Sequence, residues 1–149
     1  MRHVSVLLLV LAGIVAASAM ADEKLLRNAD LVGIETPGQV VRGITGGGLP
    51  WVVDHGSKAK VSADGRLKVD VKALVFAPGT PLAGTPGPIT SVVGSVVCAD
   101  GAVASADAVP LSSEGDARID AWVTLPAGCE DPIVLVRTTT GRWLAEAGL

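Results

Sequence analysis

The chain has 149 residues, with 12 Lys and Arg against 15 Asp and Glu, and 49% hydrophobic residues that include three Trp, one Phe and no Tyr. This length suits one ordinary domain with a real core, and the acidic balance lacks the electrostatic footprint of a nucleic-acid binder. With no Tyr and two His, one of them at position 3, side chains suited to general acid-base chemistry are few.

Met1, Arg2 and His3 lead into an almost wholly apolar run over 4–15, which closes on AASAMA, with small Ala19 and Ala21, before Asp22. A basic start, an apolar stretch of about a dozen residues and an A-x-A site are the three regions of a secretory signal peptide, in order. We expect 1–21 to be a leader cleaved after Ala21 and the mature protein to be secreted or periplasmic. A membrane anchor would need roughly 20 apolar residues, and 4–21 falls a little short. No Cys follows the run to carry a lipid, and no later run is long enough to span a bilayer. Cleavage leaves 128 residues carrying 11 basic and 15 acidic side chains.

Residues 22–30, DEKLLRNAD, are helix-friendly but too short to form a stable helix alone. Residues 22–38 are therefore expected to be a flexible or loosely docked N-terminal segment, and 39–149 a single domain. A first strand is expected over 39–45, ended by Gly46, Gly47 and Gly48. A phosphate-cradling loop would need Lys and Ser or Thr next, at the head of a helix, whereas Leu49, Pro50 and Trp51 follow.

Short strands are expected over 51–54 and 58–62, on either side of His55, Gly56 and Ser57. Asp64-Gly65 then gives a strong hairpin signal, so 58–62 should pair antiparallel with 66–76. In that stretch Leu67, Val69, Val71 and Ala73 alternate with Lys68, Asp70 and Lys72, as in a strand with one wet face. Four prolines and three glycines over 77–88 make a loop able to cross between sheets; a proline-rich docking motif is the functional alternative.

Residues 90–98 are apolar in both phases, which suggests a strand buried on both faces. A weaker strand over 102–109 should stop at Pro110, and 112–115 should turn into 116–125, where Ala117, Ile119, Ala121, Val123 and Leu125 share a phase. Residues 133–137 and 143–147 make a last pair. About eight short strands with regular turn signals indicate an all-β antiparallel sandwich, immunoglobulin-like in general architecture, with a small barrel as the alternative. SADGRLKVDV from Ser62 and SSEGDARIDA from Ser112 share one turn-then-alternation plan, which marks two similar hairpins without establishing a repeat.

Cys98 and Cys129 both survive cleavage, and two thiols in one small exported domain pair. Closing a loop of about 30 residues contributes roughly 3–4 kcal/mol on the chain-entropy model. A redox pair would favour a close C-x-x-C. GRLKVDVKALV, the Cys98 strand with its Asp-Gly turn, GDARIDAWVTLP, Cys129 with PIVLVR, and a closing G-x-W together resemble a group of short secreted bacterial proteins of unassigned function. The resemblance spans roughly 49–148. It implies a β-rich fold and the disulfide, and it brings no activity or catalytic residue with it.

Once the leader leaves with His3, His55 is the last histidine. No G-x-S-x-G elbow accompanies it, and Asp54 beside it would point to the opposite face of a strand, so a turn histidine is expected. Glu114 with Asp116, and Glu130 with Asp131, lie on turns without the ligand spacing of a calcium loop. No cofactor or metal is implied. Trp122 stands out, because it shares its phase with Arg118, Asp120 and Thr124 on the face opposite Ile119 and Val123. It is either a platform for a sugar or partner, or a ring packed under the N-terminal segment or against a Lys or Arg stem.

The expected function is that of a secreted non-catalytic module binding a protein, envelope polymer or carbohydrate surface, with no nucleic acid involved. Two other readings stand beside it: a carboxylate-dependent hydrolase and a purely structural envelope protein.

Overall fold

The computed structural model describes residues 23–149, so the expected leader over 1–21 lies outside the described residues. In chain order the strands are β1 (Lys24–Asp30), β2 (Val32–Gly33), β3 (Val40–Val41), β4 (Ile44–Thr45), β5 (Trp51–Val52), β6 (Lys58–Ser62) and β7 (Arg66–Val71). They continue with β8 (Val75–Phe76), β9 (Ser91–Val97), β10 (Val103–Ser105), β11 (Val109–Pro110), β12 (Ala117–Trp122), β13 (Ile133–Arg137) and β14 (Trp143–Ala147). One antiparallel sheet has the order β1-β6-β7-β12, and a second runs β10-β9-β13-β14-β2, with β11 also on β9. Two small pairs, β3-β4 and β5-β8, complete the strands. Both large sheets end in edge strands and do not close, so the protein is a β-sandwich and not a barrel. Among the described residues there is no helix, and hence none long and apolar enough to cross a membrane.

Alternation decides which faces meet. Leu67, Val69 and Val71 of β7, Ala59 and Val61 of β6 and Ile119 of β12 are buried, while Lys68, Asp70, Arg118 and Asp120 stand on the other face. β9 and β13, apolar in both phases, occupy the middle of the second sheet, where Val92, Val96, Val97 and all of Ile133, Val134, Leu135 and Val136 are buried. Gly94 of β9 marks the plane of contact, since a Cβ there would meet Ile119 Cδ1 at 2.9 Å and Leu67 Cδ2 at 3.2 Å. Each fully buried Leu, Ile or Val contributes about 1.5–3 kcal/mol of gross burial, set against the entropy of ordering the chain. Cys98 and Cys129 are disulfide-bonded, with Cα atoms 5.1 Å apart, and tie the end of β9 to the turn before β13.

The structure differs from the expected elements where backbone chemistry overrides pattern. The N-terminal segment is not loosely docked: Lys24–Asp30 pairs with β6 as an edge strand, with irregularities between Lys24 and Leu26 and between Leu26 and Ala29. The free edge of β6 offers hydrogen bonds that nine helix-friendly residues cannot secure alone, and Leu25 and Leu26 pack onto the core. The stretch 66–76 is two strands. Ala73 adopts φ 50°, its N–H donates to Asp116 Oδ1 at 2.9 Å, and Val75–Phe76 leaves to pair with β5.

Residues 39–45 fold back on themselves at Arg42 (φ 47°) and Gly43 (φ 83°). Arg42 then reaches the carbonyls of Val97 and Asp131 at 2.6 and 2.7 Å, tying this hairpin to the second sheet. Residues 102–109 divide into β10 and β11, both on β9, and Pro110 lies inside β11. The proline-rich 77–88 forms successive turns, bonds back to Phe76, and carries the chain from β8 to β9.

Candidate binding face

Ile119 is buried, so the pleat of β12 turns Arg118, Asp120 and Trp122 to the outer face of the first sheet. Trp122 is 64% exposed, whereas Trp51 and Trp143 lie in the core, Trp51 with its ring centroid 4.1 Å from that of Phe76. The N-terminal strand cannot cover Trp122, because β1 and β12 are opposite edges of the same sheet.

What holds the indole is Arg66, its cross-strand partner, whose guanidinium carbon lies 5.6 Å from the ring centroid. That is cation–π range. The same guanidinium donates through Nε and Nη2 to the two carboxylate oxygens of Asp120, at 3.2 and 3.3 Å. The hydrogen bond from Arg66 holds the Asp120 carboxyl below its ordinary pKa; desolvation opposes it and outweighs each of the charges of Arg66, Lys68 and Arg118 taken singly, which add to the lowering. Asp120, Arg66 and Trp122 thus form a fixed row, with planar guanidinium geometry serving both contacts.

The rest of this face is cationic. Lys58 faces Asp70, Lys60 faces Lys68, Lys68 faces Asp120 and Asp70 faces Arg118 across the ladders, and Lys24 lies opposite Ser62. Asp30 pairs with Lys58, Asp70 with Arg118 at 3.5 Å and Asp120 with Arg66. Each carboxylate of the face is thereby engaged. Among the described residues Lys24, Lys60 and Lys68 have no carboxylate within ion-pair distance, although acidic residues outnumber basic ones over the whole chain. The pairing of Lys60 with Lys68 was legible, since the two are symmetric about Asp64 in the expected hairpin. The link from Arg66 to Trp122 was not, because it depends on which strand β7 takes as its second neighbour.

The other sequence candidates do not converge. His55 is exposed in the turn before β6, where the Asp54 carboxylate accepts the Gly56 N–H at 3.2 Å. A groove of about 680 Å3 is lined in part by Asp54, Asp70 and Asp116. Each takes a structural contact there: Asp54 accepts from the Gly56 N–H, Asp70 pairs with Arg118 and Asp116 accepts from the Ala73 N–H. The amides of Gly46 and Gly47 are bonded to the carbonyls of Gln39 and Trp143. Among the described residues no three His, Cys, Asp or Glu side chains are placed to hold a metal ion.

Comparison of the chain with family models, with curated proteins and with solved structures finds no match.

Proposed function

We propose that this protein is a secreted, non-catalytic β-sandwich module that holds a saccharide of an envelope polymer against the outer face of its first sheet. The observation that carries this reading is Trp122, an exposed indole on a regular strand, held by Arg66, which is itself held by Asp120. Leaving an indole in water forgoes burial that the core could have used, and a ring already fixed in place loses little freedom when a ligand stacks on it. A saccharide suits the site better than a protein partner, because protein interfaces need several apolar anchors and are depleted of charge at their centre. Here one indole stands among lysines, arginines and aspartates. The expected leader, the disulfide and the resemblance to short secreted bacterial proteins support a place outside the cytoplasm.

The test is co-sedimentation of the mature chain with insoluble envelope polysaccharide. Trp122→Ala is expected to lower retention at least tenfold while lowering the thermal unfolding midpoint by no more than about 4–8 °C. Because Trp51 and Trp143 are buried, acrylamide quenching reports mainly Trp122, and bound polymer should shield it. Equal retention of the variant, or failure of the wild type to bind, would overturn the reading and leave the structural role.

A further inference from the structure

We propose that the cationic part of this face is an anion subsite for a phosphoryl group, and hence that the saccharide recognised is phosphorylated. Lys24, Lys60, Arg66 and Lys68 surround a cavity of about 80 Å3, and the fifth residue of its lining is Ser62. That hollow has room for several waters or one oxyanion. Ser62 is 5% exposed, and its hydroxyl accepts a hydrogen bond from Lys24 Nζ at 2.9 Å, so a buried polar side chain ties one of the lysines to the cavity.

The charge pattern points to a ligand. Lys60 and Lys68 sit directly opposite each other on adjacent strands, an arrangement that opposes folding. Asp120, opposite Lys68 on the next strand, offsets part of it, but its carboxylate is hydrogen-bonded by Arg66 and, among the described residues, no carboxylate lies within ion-pair distance of either lysine. Arg66 spends Nε and Nη2 on Asp120, which leaves N–H donors of its fork for another acceptor. A phosphate monoester carries about −1.5 to −2 charge at neutral pH and three acceptor oxygens, which matches three ammonium groups that have no ion-pair partner among the described residues better than a single carboxylate does. Arg66 belongs to both the cavity wall and the Trp122 contact, so a sugar ring on Trp122 and its phosphate in the cavity are neighbours.

This inference deepens the saccharide reading, and the two are separable by choice of probe. Inorganic phosphate tests the cavity alone. Titrated into labelled protein, it is expected to shift the amide resonances of Lys24, Lys60, Ser62 and Lys68 saturably, with acetate at least tenfold weaker. The double variant Lys60→Gln with Lys68→Gln removes the like-charge pair, so it should fold, and it should weaken phosphate binding at least tenfold. Binding should also weaken on acidification, as the phosphate dianion takes up a proton. Absence of a saturable shift, or acetate as effective as phosphate, would overturn the subsite.

Glucose 1-phosphate then joins the two readings. It is expected to bind about tenfold more tightly than inorganic phosphate, with that gain lost in Trp122→Ala. If phosphate binds but Trp122→Ala leaves glucose 1-phosphate unaffected, the subsite stands and the platform falls. If glucose binds as tightly as its phosphate ester, the phosphoryl inference falls and the platform stands.

Discussion

Gly94 of β9 lies directly under Ile119 of β12, with no room between them for a single methyl group. It is a point of direct contact between the two sheets of the sandwich, and the reason is visible in both strands: Ile119 is the fully buried residue of β12, and β9 lies in the interior of the second sheet.

Gly94→Ala should therefore destabilise the protein by about 1–3 kcal/mol, the cost of overpacking a well-filled core. Urea unfolding measures it. A truncation at the facing position, Ile119→Val, should recover part of the loss when combined with Gly94→Ala, because the two side chains compete for one space. Additive losses would mean that the sheets do not meet here.

A second constraint lies at the two ends of the β7-β12 pair. Gly65 N–H donates to the Ser62 carbonyl at 2.9 Å, and Gly115 N–H to that of Ser112 at 3.0 Å. Both glycines have positive φ, 97° and 85°. Their own carbonyls then accept from Val123 and Leu74, at 2.8 and 2.9 Å, beyond the ends of the two strands. A Cβ on Gly115 would stand 2.4 Å from the Leu74 carbonyl oxygen. Gly115→Ala is thus expected to cost more than the roughly 1 kcal/mol of an ordinary glycine-to-alanine change in a strained turn, and to loosen amide exchange protection at Leu74 first.

Those two turns are the faint echo between SADG and SSEG, and they show what the sequence could and could not give. Turn chemistry and period-two alternation are local, so the β6-β7 hairpin, the inward phase of β12 and the crossing loop over 77–88 were legible. The division of 66–76 was not, because Ala73 carries no turn signature; its left-handed conformation is secured by Asp116, 43 positions away. The pairing of Lys24–Asp30 was hidden for the same reason, since it depends on an unfilled edge of β6 and not on its own propensity. At the binding face, the outward phase of Trp122 was legible and its partner Arg66 was not.

The contact between Arg66 and Trp122 gives a third prediction. Trp122→Ala should change stability by less than about 1 kcal/mol, as exposed positions do, and Arg66→Ala by a similar amount. A double-mutant cycle should return a coupling of about 0.5–1 kcal/mol, the range of an exposed cation–π pair. A loss of several kcal/mol for Trp122→Ala would mark the indole as core, and zero coupling would mean that Arg66 does not hold it.

The last prediction concerns pH, where two carboxyl groups act with opposite sign. Asp120 titrates below its ordinary value because Arg66 hydrogen-bonds its ionised form. Its contribution is complete above the unfolded-state pKa of about 3.9, and it is lost as pH falls through the lower folded-state value, where the folded protein at last takes up the proton. Glu146 titrates above its ordinary value because partial burial in β14 disfavours the charge, against a hydrogen bond from the Leu149 amide. The folded state therefore holds that proton longer than the unfolded chain, and stability falls as pH rises from about 4.3 through the folded-state pKa of Glu146. Urea unfolding at several pH values separates the two. Asp120→Asn should be less stable than the wild type at pH 7, with the gap narrowing on acidification below about pH 4. Glu146→Gln should be the more stable protein at pH 7, and its advantage should shrink as the wild-type carboxyl becomes protonated. Parallel stability curves for the Asp120 variant and the wild type would show that Arg66 gives Asp120 no preference for its ionised form. The fixed row from Asp120 through Arg66 to Trp122 would then lack its anchor.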